Sequence, residues 1–218
     1  DNSDLKEYAY LDIEYKTLSK EEIVKSSIQR IKEDNTDIVI LDFRLHSSDF
    51  SKNISIQEVT SVQILKAIKE YNAGIQVIIF SATNKIWNLQ TLESLGADGF
   101  IIKEAPENSI NPNFTNDTIE NFRKVIEKSI RMTFLKEAYS IINEIKIYLN
   151  KKGGNKKENE LKNEIILQLE TAFECLKKTE SNNYFKLSYI SLFKIIELIT
   201  VFYVEGRFLK KGKNITPI

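Results

Sequence analysis

"DIVILDFRLHSSDF", residues 37–50, decides how this chain is read. Ile38 to Leu41 form a continuous apolar run, mostly β-branched, and Asp42 follows at once. A run this short between polar segments reads as a strand buried on both faces of a parallel sheet. The carboxylate at its end is either an ordinary strand terminus or a group that the strand exists to display. What reaches the same edge of the sheet distinguishes the two.

Upstream, residues 8–17 (YAYLDIEYKT) alternate loosely and are rich in aromatic residues, as a strand is. Ser19 then stands as an N-cap with Glu22 three residues on, and Ile23, Ile28 and Ile31 recur at roughly helical spacing. Downstream, 59–71 reads as a second helix with Val62, Ile64, Leu65 and Ile68 along one side. "IQVIIFSA" is another buried strand, Leu89–Leu95 a helix stopped by Gly96, and "GFIIK" a third strand. Strands alternating with helices imply βαβ units and a parallel sheet covered by helices. In such sheets chemistry sits outside the carboxyl ends of the strands. Asp42, Ser81 and Lys103 are each the first polar residue at such an end. A carboxylate, a hydroxyl and an ammonium are thus expected at one edge.

The pattern changes after Lys103. Two prolines, three asparagines and a serine within 104–113 mark a linker. The expected organisation is an α/β domain over 1–106, a linker over 107–116 and an all-α helical domain over 117–218. Within the last, Phe122, Ile126, Ile130, Phe134, Ala138, Ile141, Ile145 and Leu149 predict one long helix from Asp117 to Asn150. Two shorter helices follow over about 158–178 and 182–204, making a helical bundle.

Composition narrows the function. The 218 residues are 42% hydrophobic and 28% charged, ordinary values for a soluble globular chain. One cysteine (Cys175) and one histidine (His46) exclude an internal disulfide and a zinc site built from such ligands. Residues 1–120 hold 12 basic and 20 acidic side chains, and 121–218 hold 19 and 11, so the zero net charge conceals an acidic front and a basic back. Leu187–Val204 is apolar enough to span a bilayer but carries Lys194 and Glu197, and it reads as a buried core helix. A cytoplasmic protein with no membrane association is expected. The basic stretch at 206–214, with Lys210, Lys211 and Lys213, has no recognition-helix motif beside it, and nucleic-acid binding is not expected.

Together, Asp42 in "VILDF", Ser81–Ala82 in "IIFSAT", and Phe100 with Lys103 in "LGADGFIIK" make residues 8–106 resemble a response-regulator receiver domain, the CheY-like module of two-component signalling. The 22-residue interval from Ser81 to Lys103 matches the family's spacing. The resemblance implies a flavodoxin-like (CheY-like) parallel sheet. It implies that Asp42 is the phosphoacceptor for a histidine kinase or phosphotransfer protein, that Lys103 and Ser81 contact the phosphoryl oxygens, and that Phe100 is the switch aromatic. It also implies Mg2+ held by Asp42, the backbone carbonyl of Arg44 and an acidic pair expected just upstream of Asp1, so the receiver is read as N-terminally incomplete. No catalysis beyond phosphorylation and dephosphorylation at Asp42 is implied. The output would pass through the helical domain, by homodimerisation or by binding a partner.

The chain departs from the family around Asp42. The 39-residue interval from Asp42 to Ser81 is longer than usual, and the excess lies in "HSSDFSKNISIQEVT". The loop lacks the usual proline, and Glu104 stands where a proline commonly follows the lysine. Two alternatives therefore remain: a pseudo-receiver scaffold that binds a protein without phosphorylation, and an effector directed at RNA through the basic helices. The helical domain has no histidine to serve such an effector as an acid or base.

Overall fold

The computed structural model describes residues 17–51, 54–82, 86–103, 114–178 and 182–211. It divides the chain into two compact units, Asp1–Lys136 and Glu137–Ile218. The strand expected over 8–17 falls outside the described residues apart from Thr17.

The first unit begins with α1 (Lys20–Glu33), and the capping box read from the sequence forms: the Ser19 hydroxyl accepts from the Glu22 amide while the Glu22 carboxylate accepts from the Ser19 amide at 2.8 Å. Asn35 ends the turn with φ 51°, in the left-handed region that asparagine tolerates. β1 (Ile38–Asp42), α2 (Thr60–Tyr71), β2 (Gln76–Ser81), α3 (Ile86–Ser94) and β3 (Gly99–Ile102) follow. The strands form a parallel sheet in the order β1-β2-β3, with Asp42 opposite Phe80, Ile79 opposite Phe100 and Ser81 opposite Ile102. The mixed α/β class read from the sequence is thus present, with a small three-stranded parallel sheet among the described residues.

β2 is the buried strand: Gln76 to Ile79 and Ser81 are withdrawn from solvent. β1 is not covered on both faces as the apolar run predicts. Val39 and Leu41 join a core with Ile23 and Ile31 of α1 and Val62, Leu65 and Ile68 of α2, yet Ile40 is 47% exposed. Among the described residues β1 pairs only with β2, at one edge of the described sheet. The next helix, α4 (Phe114–Arg131), packs on β3 at the opposite edge. There a Cβ on Gly99 would meet Val125 Cγ1 at 2.6 Å, and only glycine permits that approach.

The long helix expected from Asp117 to Asn150 is two helices, α4 and α5 (Phe134–Lys151), broken at Met132 and Thr133. Across the break the bonds tighten to i→i−3: Met132 N–H to the Ser129 carbonyl at 3.1 Å and Leu135 N–H to the Met132 carbonyl at 3.1 Å. Tertiary contacts select it. Leu135 is 2% exposed and lies against Gly74, where a Cβ would collide with the Leu135 carbonyl. Asn72 Nδ2 donates to the Lys136 carbonyl at 3.1 Å, and Lys136 Nζ reaches the Asn35 carbonyl and Asp37. The division between units accordingly falls after Lys136, and α4, which the sequence groups with the helical domain, sits on the sheet. The expected linker at 107–116 lies outside the described residues as far as 113.

The second unit contains the rest of α5, α6 (Lys156–Leu176) and α7 (Asn182–Lys211). The helices predicted near 158–178 and 182–204 are both present. Asn155 caps α6 through a reciprocal pair with Glu158, and Tyr139 of α5 stacks at 5.4 Å on Phe173 of α6. α7 runs along α6. Of its apolar window, Asn182–Val204, only 11% is buried, so the run read as a core helix is largely exposed. The reason is geometric: a helix with a close neighbour along one seam buries only that seam.

Candidate functional site

The register of the sheet brings the predicted residues to one edge. Asp42 ends β1, Ser81 ends β2, and Lys103 follows directly on β3. The Lys103 amide extends the ladder by donating to the Ser81 carbonyl at 2.7 Å. Its ammonium crosses the middle strand and meets Asp42 Oδ2 at 2.5 Å, although the two residues lie 61 apart in sequence. On the way it passes over the Phe80 ring at 4.9 Å, a cation–π approach that lends the lysine an apolar floor. Phe80 therefore takes part in the site, and its pairing opposite Asp42 is what puts it there. The side chains of Lys103 and Asp42 are 31% and 44% exposed, so the pair is open to a reactant from solvent.

Ser81 is buried at the neighbouring strand end, with 4% of its surface exposed. Phe100, the expected switch aromatic, is half-buried against the core that joins the sheet to α1 and α2. Its carbonyl accepts from Asn121 Nδ2 of α4 at 3.3 Å.

The long loop after Asp42 is folded around an aspartate to which sequence reasoning gave no role. Residues Ser47–Phe50 and Ile56–Glu58 form two short 3-10 helices. Asp49, in the first, is fully buried. Its Oδ2 accepts from the amides of Leu45 (3.1 Å) and His46 (3.0 Å), and its Oδ1 accepts from the amide and hydroxyl of Thr60 at 3.2 and 3.0 Å. Lys20 Nζ, at the start of α1, lies 2.9 Å from Oδ1. Burial pushes the Asp49 carboxyl up, but hydrogen bonds from His46, Lys20 and Thr60 outweigh it and hold the pKa below its ordinary value. Val59 has no side chain that can cap α2, so Asp49 supplies the missing acceptor from eleven residues away. A further buried bond, Ser61 Oγ to the Phe43 carbonyl at 2.6 Å, fastens the residue after Asp42 to the same helix end.

His46 is a structural residue of this loop. Its Nδ1 lies 3.2 Å from the Ser48 amide and 2.8 Å from the Ser48 hydroxyl, capping the first 3-10 turn. Arg44 is exposed, with its guanidinium over the Phe50 ring at 5.3 Å. The loop's order has two local signals. Ser55 and Glu58 form an ordinary serine–glutamate box that sequence reasoning passed over, the carboxylate accepting from the Ser55 amide at 3.0 Å. The other is a reciprocal cap between His46 and Asp49. Histidine is not a usual capping residue, so the pattern is hard to notice in sequence.

No family model, curated protein or solved structure matches this chain.

The fit to magnesium is incomplete. Asp42 offers one carboxylate, already engaged by Lys103, while Asp49 is consumed by the loop. Among the described residues no group of three or more His, Cys, Asp or Glu side chains comes together as a metal cluster. Asp42 and the Arg44 carbonyl alone fall short of the oxygen shell this hard cation takes, and no step below is routed through a metal.

Proposed function

We propose that this chain is a receiver-like signalling protein whose Asp42 accepts a phosphoryl group from a histidine kinase or phosphotransfer protein, on a flavodoxin-like sheet, and whose helical part carries the output. The observation that carries this reading is the Lys103 ammonium drawn across Phe80 to the Asp42 carboxylate at the carboxyl edge of a parallel sheet. In the transfer, an Asp42 carboxylate oxygen attacks the phosphorus of a phosphohistidine. The P–N bond breaks, its electrons return to the imidazole nitrogen, and an acyl phosphate forms on Asp42. Lys103 then exchanges a carboxylate oxygen for the phosphoryl oxygens and offsets the added charge. Ser81, at the adjacent strand end, would donate to one of those oxygens, and Phe100 would respond through its packing against the core.

The test is incubation of the 218-residue chain with acetyl phosphate and Mg2+, followed by intact mass. One phosphoryl group on the wild type and none on Asp42→Asn supports the proposal. An unmodified wild type, or an adduct that survives Asp42→Asn, refutes it. The closed Asp42–Lys103 pair and the loop pinned by Asp49 also favour a second reading, a scaffold whose sheet edge is permanently neutralised. That reading predicts no adduct under the same conditions.

A further inference from the structure

We infer that α7 is the surface through which two copies of this chain associate, helix against helix about a two-fold axis. The inference does not depend on whether Asp42 is phosphorylated. Along α7 the residues withdrawn from solvent are Ser188 and Ser191, with Ile195, Leu198 and Phe202 half-buried. They recur at intervals of three and four and mark the seam along which α7 lies on α6.

One position further along each time lies a second stripe: Phe185, Tyr189, Leu192, Ile196, Ile199 and Tyr203. It has the same alternation of threes and fours, and its members are 39% to 65% exposed. Successive residues are about 100° apart around a helix, so this stripe faces well away from the α6 seam. No charge interrupts it; Lys186, Lys194 and Glu197 fall on other positions, and the last two pair with each other at 2.9 Å. Phe193, 71% exposed, flanks it, whereas Ile190 lies on the far face with Val201.

An apolar stripe with this spacing is what a facing helix requires. A bilayer requires no such period, and α6, which lies along α7, carries Glu160, Glu164, Glu170 and Glu174, which would have to enter the hydrocarbon with it. At about 200 Å2 for a fully exposed residue of this size, the stripe and Phe193 present roughly 750 Å2. A stable interface takes about 800 Å2 from each partner, and a typical monomer's largest apolar patch is about 300–600 Å2. Two copies of the one stripe come close to that area, exceed an ordinary monomer's patch and match in periodicity, as an isologous contact demands.

Sedimentation equilibrium of the 218-residue chain at micromolar concentration tests this, with circular dichroism to check helicity. The wild type should be a dimer. Ile196→Lys, in the stripe, should weaken dimerisation about 100-fold or more, while Val201→Lys, exposed but off the stripe, should leave it unchanged. Ile196 lies near the stripe's midpoint, where a two-fold axis brings equivalent residues together. Ile196→Cys in a Cys175→Ser background should therefore form a disulfide-linked dimer on oxidation, and Val201→Cys should not. This second arm decides the matter if Ile196→Lys loses helicity. A monomeric wild type, equal effects of the two lysine variants, equal cross-linking at the two cysteines, or a wild type recovered with phosphatidylcholine vesicles rather than as a free dimer would each overturn the inference.

Discussion

Replacing Asp49 with alanine removes an acceptor that serves four donors and an ion pair at one buried point. The cost follows from who is left behind. Thr60 is fully buried, so its amide and hydroxyl lose their acceptor where water does not readily replace it, at about 1–3 kcal/mol each. The Leu45 and His46 amides are part-exposed and recover water, adding about 0.5 kcal/mol each. Lys20 keeps a bond to the Glu58 carbonyl at 2.5 Å, which softens the loss of its carboxylate partner. Because these terms share one anchor they do not simply add, and the expected loss is about 3–4 kcal/mol, in the range for breaking a buried pair. Trp87, the chain's single tryptophan, lies in the first unit, so urea unfolding followed by its fluorescence reports the affected unit. With a slope of about 1–3 kcal/mol per molar urea, the midpoint should fall by roughly 1–4 M. Asp49→Asn retains an acceptor oxygen but no charge and should lose about half as much. The folded-state pKa of Asp49 is lowered from 3.8, so its contribution is full above that value and disappears as pH falls through the folded pKa. The gap between wild type and Asp49→Ala should therefore be constant from neutral pH to about pH 5 and narrow below about pH 4. A midpoint shift under about 0.5 M, or a gap that does not change with acid, would refute the assignment of Asp49 as the loop's anchor.

Three more outcomes follow. Gly74→Ala should destabilise the first unit by about 3 kcal/mol or more, because the new Cβ meets backbone at Leu135 rather than a side chain that can turn aside; thermal unfolding checks it. Lys69 is 13% exposed and donates to the Ile75 carbonyl at 2.6 Å and to Asp98 at 2.7 Å, and Asp98 also accepts from the Val77 amide at 2.7 Å. Lys69→Met should then cost about 2–4 kcal/mol by urea titration. Lys103→Met removes a pair that is about a third to a half exposed, so stability should change by less than about 1 kcal/mol. The rate of adduct formation with acetyl phosphate should nevertheless drop at least tenfold, about 1.4 kcal/mol of transition-state stabilisation. A variant that is strongly destabilised yet still reactive would reverse the roles assigned to Lys103.

What the sequence determined by itself was local: Ser19 and Glu22 close their box within one turn, the β-branched runs at 38–40 and 77–79 make strands, and Gly96, with φ 99°, stops α3. The mixed α/β class and the convergence of Asp42, Ser81 and Lys103 on one edge followed from the alternation of strand and helix, because parallel strands carry their ends to the same side. Tertiary structure decided the rest. Periodicity alone runs unbroken through Met132, yet the chain breaks there because Leu135 must reach Gly74 and Lys136 must reach Asn72. The run at 38–41 reads as doubly buried, but alternate side chains point to opposite faces of the sheet: Val39 and Leu41 meet α1 and α2, while Ile40, on the other face, is 47% exposed. Asp49 looks like one more polar loop residue until Lys20 and Thr60 arrive from distant positions to surround it. The apolar run of α7 reads as core because composition counts side chains without saying which have neighbours. Packing along α6 covers one seam of that helix and leaves the adjoining stripe exposed.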